Sequence, residues 1–162
     1  MSDPITPEAV LEACRAAGLK AATAESCTGG MVSARLIDVA GSSSVVLGGV
    51  VAYSNRAKRD LLGVSPDTLK AHGAVSEETA AEMAEGGLRA LNADLAVGIT
   101  GVAGPGGSAT RPEGRVCFAV ARQGFPTQSE TQDFGAIGRT AVREASRDRA
   151  LEMLKTAAEL RP

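Results

Sequence analysis

The stretch Val45–Tyr53, VVLGGVVAY, is an almost unbroken apolar run rich in β-branched residues and free of charge. Such a run reads as a strand buried on both faces, which requires helices above and below the sheet. The flanking segments supply them. Thr6-Pro7-Glu8 is a helix start, with Thr6 as N-cap and Pro7 in the first turn, and Val10, Leu11, Cys14 and Ala17 form a buried stripe that ends at Gly18. Further helices are expected over Gly29–Val39, Asn55–Leu62, Pro66–His72, from the Ser76 cap to Leu91, and over Arg139–Leu160. Strands are expected over Lys20–Ala24, Leu95–Ile99 and Arg115–Val120. Thr127–Phe134 is polar on both faces and predicts an edge strand. The alternation predicts α/β: one three-layer α/β/α domain over residues 1–162, with its core over about 6–160 and a mostly buried mixed sheet.

Composition narrows the function classes. The 162 residues include no Trp, one Tyr and three Phe, so the core must be built from Ala, Val, Leu and Ile. A net charge of −2 argues against nucleic acid, which needs concentrated Lys and Arg on phosphates, and the missing aromatics remove the platforms for stacking bases. Cys14, Cys27 and Cys117 are odd in number and widely spaced, which fits a reducing compartment. No basic-then-apolar leader opens the sequence and no stretch is long enough for a membrane span. A cytoplasmic protein without membrane or nucleic-acid partners is the expectation.

The chemistry concentrates at two junctions. Ala24-Glu25-Ser26-Cys27-Thr28-Gly29-Gly30 follows a strand and opens a helix, and Tyr53-Ser54-Asn55-Arg56-Ala57-Lys58 does the same. Ser26 reads plainly as a helix N-cap. It also reads as a nucleophile, with the amides of Thr28, Gly29 and Gly30 aimed at an oxyanion or phosphate. Lys58 is either a solvated helix residue or the base for Ser26. As a base it must be neutral near pH 7, and burial or the charge of Arg56 would favour that. The Tyr53 hydroxyl can pass protons between Lys58 and Ser26, or simply sit in water at a strand end. Cys27 is a rival nucleophile and His72 a rival base, although adjacent side chains cannot both face one site well.

Thr100–Gly114, TGVAGPGGSATRPEG, begins where a strand ends, the place where α/β sheets bind ligands. It is neither a Walker A nor a GxGxxG sequence, yet its backbone amides suit a phosphate or carboxylate as well as a purely structural turn. Arg139 and Arg143 lie four apart on the last helix, either as surface charges or as anion ligands. No cluster of His, Cys, Asp or Glu has metal-ligand spacing, so neither metal nor cofactor is expected.

AESCTGG, YSNRAKRDLLGV, HGAVSEETAAEMA and GITGVAGPGG, in this order, resemble the CinA C-terminal domain family over about Glu8–Leu154. The stand-alone bacterial members of that family are nicotinamide-nucleotide amidases. The resemblance implies hydrolysis of the carboxamide of nicotinamide mononucleotide to nicotinate mononucleotide and ammonia, in pyridine nucleotide salvage. By motif position it implies Ser26 as nucleophile, Lys58 as base and Tyr53 as assisting hydroxyl. It places Thr100 near the site and matches Arg139 and Arg143 to a family motif. Thr28, Gly29, Gly30, Gly101, Gly104 and Gly106 complete the expected substrate contacts, with the phosphate on the 101–108 loop and on Arg139 or Arg143.

Two departures stand out. Ala136-Ile137-Gly138-Arg139 replaces the frequent Gly-Asp-Arg, and GPGG lacks the Asp that often follows the Pro. Some relatives carry an N-terminal domain resembling molybdopterin-binding proteins, for which 162 residues leave no room. Two rival functions stand beside the amidase: a hydrolase for another small carboxamide, and a non-catalytic nucleotide-binding regulatory module. A homo-oligomer, dimer or larger, is the expected state.

Overall fold

The computed structural model describes residues 3–108 and 110–162. Helix α1 is Pro7–Ala17, with the Thr6 hydroxyl accepting from the Ala9 amide at 3.2 Å and Gly18 closing the end at φ 69°. The chain continues through β1 (Ala21–Glu25), α2 (Met31–Ile37), β2 (Val46–Val51), α3 (Asn55–Leu62), α4 (Pro66–His72) and α5 (Glu77–Leu91). It ends with β3 (Leu95–Gly101), β4 (Arg115–Arg122), β5 (Gln128–Asp133) and α6 (Arg139–Ala158). Among these helices none is long and apolar enough to cross a membrane.

The strands form one sheet in the order β2-β1-β3-β4-β5. β1 runs parallel to both β2 and β3, whereas β4 is antiparallel to β3 and β5 antiparallel to β4, so the sheet is mixed. Helices α1, α2 and α6 pack together on one face, over Val97, Ile99, Phe118 and Val120. Helices α3, α4 and α5 lie on the other, over Ala24, Ala52, Cys117 and Ala119. The core is aliphatic, and Phe118 meets Phe134 edge-on with centroids 6.4 Å apart.

Two glycines explain how closely α5 approaches its neighbours. A Cβ at Gly98 of β3 would stand 2.5 Å from the Ala80 carbonyl, and one at Gly86 would stand 2.0 Å from the Leu62 carbonyl. Only glycine lets backbone meet backbone at that distance.

The reading of Val45–Tyr53 as a strand buried on both faces needs correction. β2 is an edge strand whose residues alternate between half-buried and exposed, with Leu47 at 45% and Val51 at 50% exposure. On that open face lies α2, which is only seven residues long and ends at the exposed Ile37. Its Ser33 hydroxyl, with that of Thr23, stands where a Cβ at Gly49 would be, yet Leu47, Gly49 and Val51 all stay exposed. Apolar content here reports strand propensity, not two-sided burial. β5, the polar edge, lies where its sequence predicts.

Candidate active site

From β1 the chain goes through α2 on one face to β2 on one side. It then crosses by α3–α5 on the other face to β3 on the opposite side. The C-terminal end of β1 is therefore a switch point, where diverging loops leave a crevice. Ser26 is the first residue past that end. Its amide donates to the Ile99 carbonyl at 2.9 Å, and the Ala52 amide donates to the Glu25 carbonyl at 2.8 Å, so both flanking strands hold the junction.

Ser26 does not cap α2. That helix begins only at Met31, after Gly29 and Gly30 turn at φ 59° and 103°, and its cap residue, Gly30, has no side chain to offer. Glu25 does the capping instead. Its fully buried carboxylate accepts from the Val32 amide at 2.9 Å and the Ser33 amide at 3.1 Å, and from the Thr28 hydroxyl at 2.7 Å. A carboxylate on the first turn of a helix is favoured by both the free amides and the dipole. The Ser26 hydroxyl is thereby released for other work.

That hydroxyl meets Lys58. Nζ of Lys58 lies 3.0 Å from Ser26 Oγ and 3.1 Å from the Tyr53 carbonyl oxygen, with Ser26 Oγ 3.5 Å from the same carbonyl. Lys58 is 2% exposed, on the α3 face whose Leu62 joins Ala24, Ala52 and Met83 in an aliphatic cluster. Burial pushes its pKa down, opposed by the nearby Cys27. The Cys27 thiol is itself pushed up to about 12 by burial, so near neutral pH it carries no charge to oppose anything. Arg56 has no part in this. Its side chain is 83% exposed and paired with Asp60, which Arg59 also holds.

The rivals are elsewhere. Cys27 belongs to the aliphatic core between β1 and the α1, α2 and α6 layer, and remains a thiol. His72 is exposed and lies 3.7 Å from Glu78.

The remaining candidates divide sharply. Tyr53 contributes its carbonyl to the site, but the residue is 65% exposed and its hydroxyl accepts from Arg139 Nη2 at 3.3 Å. The structure thus gives the phenol an arginine partner and no hydrogen bond to Ser26 or Lys58. Of the three turn amides, that of Gly29 donates to the Ser26 carbonyl at 3.1 Å, whereas those of Thr28 and Gly30 have no partner among the described residues. The Thr100 hydroxyl donates to the Ala74 carbonyl at 2.8 Å, tying β3 to the start of α5. Gly101 is pressed against β4, where a Cβ would stand 2.7 Å from Val116.

In the glycine-rich loop, the Gly106 amide donates to Glu113, and the Gly104 carbonyl accepts from Arg139. Arg143 donates to the Cys27 carbonyl at 2.9 Å and the Thr28 carbonyl at 3.3 Å.

Sequence reasoning missed three contributors: Glu25, Glu113 and the Tyr53 carbonyl. Glu25 carried a signal, since an acid between a strand and a glycine-opened helix has four free amides within reach. A main-chain carbonyl carries none.

This architecture recurs in known proteins. The competence/damage inducible protein CihA of Agrobacterium tumefaciens superposes with a TM-score of 0.85 at 44% identity, covering 99% of this chain and 100% of that one. The competence damage-inducible protein A of Klebsiella pneumoniae gives 0.90 at 36% identity, covering 96% of each chain. The CinA-like protein of Mycolicibacterium vanbaalenii is 51% identical over 142 residues, which is 87% of this chain and 33% of that protein. The CinA-like protein of Mycobacterium tuberculosis is 49% identical over 139 residues, or 85% and 32%. The chain thus spans about a third of the length of these curated relatives. A family model described as the CinA C-terminal domain matches residues 5–158. With nearly its whole length inside that match, the chain belongs to the CinA C-terminal domain family.

Proposed function

We propose that this protein is an amidohydrolase that cleaves the carboxamide of nicotinamide mononucleotide through a Ser26–Lys58 pair. The observation that carries the reading is a lysine, 2% exposed, whose hydrogen-bond partners among the described residues are the Ser26 hydroxyl and one carbonyl. A buried ammonium with no carboxylate beside it is costly, so the lysine favours its neutral form. Neutral Nζ then donates a hydrogen to the Tyr53 carbonyl, which turns its lone pair toward Ser26.

The reaction follows from that orientation. Lys58 takes the Ser26 proton as Oγ attacks the carboxamide carbon. The oxyanion that forms is met by the half-buried Gly30 amide, which has no partner among the described residues. Collapse breaks the C–N bond, and the proton on Lys58 leaves with the nitrogen as ammonia. Water, deprotonated by Lys58, then attacks the acyl carbon; collapse breaks the bond to Ser26 Oγ, which takes the proton back from Lys58, and the freed acid ionises to the carboxylate. The substrate assignment comes from the motif resemblance and family membership. Arg139, exposed between the Gly104 carbonyl and the Tyr53 hydroxyl, is the cation assigned to the phosphate.

The test is ammonia release from nicotinamide mononucleotide, with free nicotinamide and its riboside alongside, by wild type, Ser26→Ala and Lys58→Met. Turnover of the mononucleotide that disappears in both variants supports the scheme, and turnover surviving Ser26→Ala refutes it. Tight binding without ammonia release would favour a regulatory module.

A further inference from the structure

The two edges of the sheet are built differently. β5 presents Gln128-Ser129-Glu130-Thr131-Gln132-Asp133, every residue of it polar and two of them acids. An edge of that kind resists pairing with a further strand. β2 and the two residues after it, from Leu47 to Tyr53, carry no charge and no proline. Leu47, Val51 and Tyr53 are 45%, 50% and 65% exposed. An apolar edge left open without a charge is a template for another strand.

The backbone says which residues would pair. The Ala52 amide donates to the Glu25 carbonyl at 2.8 Å, so Ala52 faces β1. By the two-residue period of a ladder, the N–H and C=O groups of Val51 and Gly49 then point out of the sheet. Earlier in β2 the register against β1 slips, between Ala21 and Ala22. The regular outward-facing stretch is therefore short, with Val50 at its middle.

We infer that β2 pairs antiparallel with β2 of a second copy of this chain, about a two-fold axis at Val50, so that two sheets become one. In that register Gly49 and Val51 exchange main-chain bonds with Val51 and Gly49 of the second copy. Leu47 comes opposite Tyr53, and Val50 opposite itself. Each large exposed apolar residue of this edge thus meets an apolar counterpart, which makes the strand its own complement. A strand like β5 would instead set its acids against this apolar strip. A two-fold pairing also closes on itself and leaves no β2 edge free.

The area is sufficient. A stable dimer buries roughly 800 Å² per partner, a tenth of the 7805 Å² that this chain exposes. Seven strand residues span about 23 Å, and three layers stand about 30 Å thick, so this side of the molecule presents a surface of that order. The flanking α2 adds the exposed Ile37.

The experiment is sedimentation of wild type, Val51→Lys, Val51→Glu and an equal mixture of the two variants, with circular dichroism to verify folding. The two copies of Val51 lie diagonally across the axis, roughly 7–8 Å apart, so like charges repel in either variant and opposite charges attract in the mixture. Wild type is expected at twice the chain mass or an even multiple of it. Each variant alone should weaken the pairing by at least about tenfold in dissociation constant, and the mixture should recover most of that loss. Gln128→Lys, on the exposed β5 edge, should leave assembly unchanged.

A monomeric wild type would overturn the inference and leave the β2 edge to a strand from another protein. Assembly that both Val51 variants retain would overturn it too, by placing the contact on another surface. Variants that dissociate, with a mixture that recovers nothing, would overturn the antiparallel pairing about Val50.

Discussion

Two strand-to-helix junctions lie side by side in this molecule, each with a serine just past the strand. At the β2–α3 junction Ser54 accepts from the Ala57 amide at 3.0 Å and caps its helix in the ordinary way. At the β1–α2 junction Ser26 makes no such bond, because the buried Glu25 serves the Val32 and Ser33 amides from one residue earlier. The same residue type in the same kind of place thus has two fates. A serine becomes available for chemistry when another side chain takes over the local demand for an acceptor. Lys58, on the helix that Ser54 caps, is delivered to the serine that Glu25 has released.

The widest separation between the two junctions should appear in activity. Ser26→Ala is expected to remove amide hydrolysis by at least about a thousandfold, because no other nucleophile is in place. The Cys27 thiol beside it is held protonated up to about pH 12 and packed into the core, so it offers no substitute. Steady-state ammonia release, with circular dichroism to verify folding, reads the outcome. Residual turnover near wild-type level would erase the distinction between the serines.

Next in size is Lys58→Met, with a loss in kcat of about a thousandfold. Its pH behaviour is more informative. Burial lowers the lysine's pKa in the folded protein, whereas in the unfolded chain it titrates near 10.5. Between those two values the unfolded chain binds more protons, so stability rises with pH through that window. Wild-type activity should rise through the lowered pKa and level off above it. Lys58→Met should lose that slope in stability and be at least as stable as wild type at pH 7, the gap closing toward pH 10.5. Urea melts at a series of pH values measure this, and parallel curves for the two proteins would show that Lys58 is charged in the fold.

Much of this was legible in the sequence because it was local. Helix starts at Thr6, Ser54 and Ser76, the polar edge strand and the position of Ser26 after a strand all follow from side chains acting on nearby backbone. Approach across the fold was not. Val45–Tyr53 looks like a strand buried on both faces, yet β2 pairs with β1 alone and the short α2 leaves one of its faces exposed. The Tyr53 phenol looked like the link between Lys58 and Ser26, yet the Tyr53 carbonyl is what they meet, and the hydroxyl faces Arg139 on α6. The Arg143 side chain reaches back 116 positions to Cys27, a distance no spacing rule reports.

Glu25→Ala attacks the cause of the asymmetry. It leaves the Val32 and Ser33 amides and the Thr28 hydroxyl without their acceptor inside the protein, at a cost of about 3 kcal/mol. Activity should fall with it, since the turn that holds Ser26 loses its anchor. Glu25→Gln separates the two effects. Its amide oxygen can still accept from Val32 and Thr28, while its NH2 group opposes the Ser33 amide, so an intermediate loss of stability is expected. Equal melting temperatures for wild type and Glu25→Ala would mean that the carboxylate does not cap α2.

The smallest effect belongs to the ordinary serine. Ser54→Ala removes one acceptor at an exposed helix start, where water can replace it, and the expected cost is about 1 kcal/mol. Because α3 carries Lys58, a frayed first turn would also loosen the Nζ–Oγ contact, so a drop in kcat of about twofold or less should accompany the loss of stability. Ser54→Asp supplies a different acceptor for the same amide and adds a charge that the helix dipole favours, so it should restore both. If Ser54→Ala instead abolished turnover while Ser54→Asp failed to recover it, the hydroxyl of Ser54 would have a role in the chemistry. The two junctions would then differ less than their hydrogen bonds suggest.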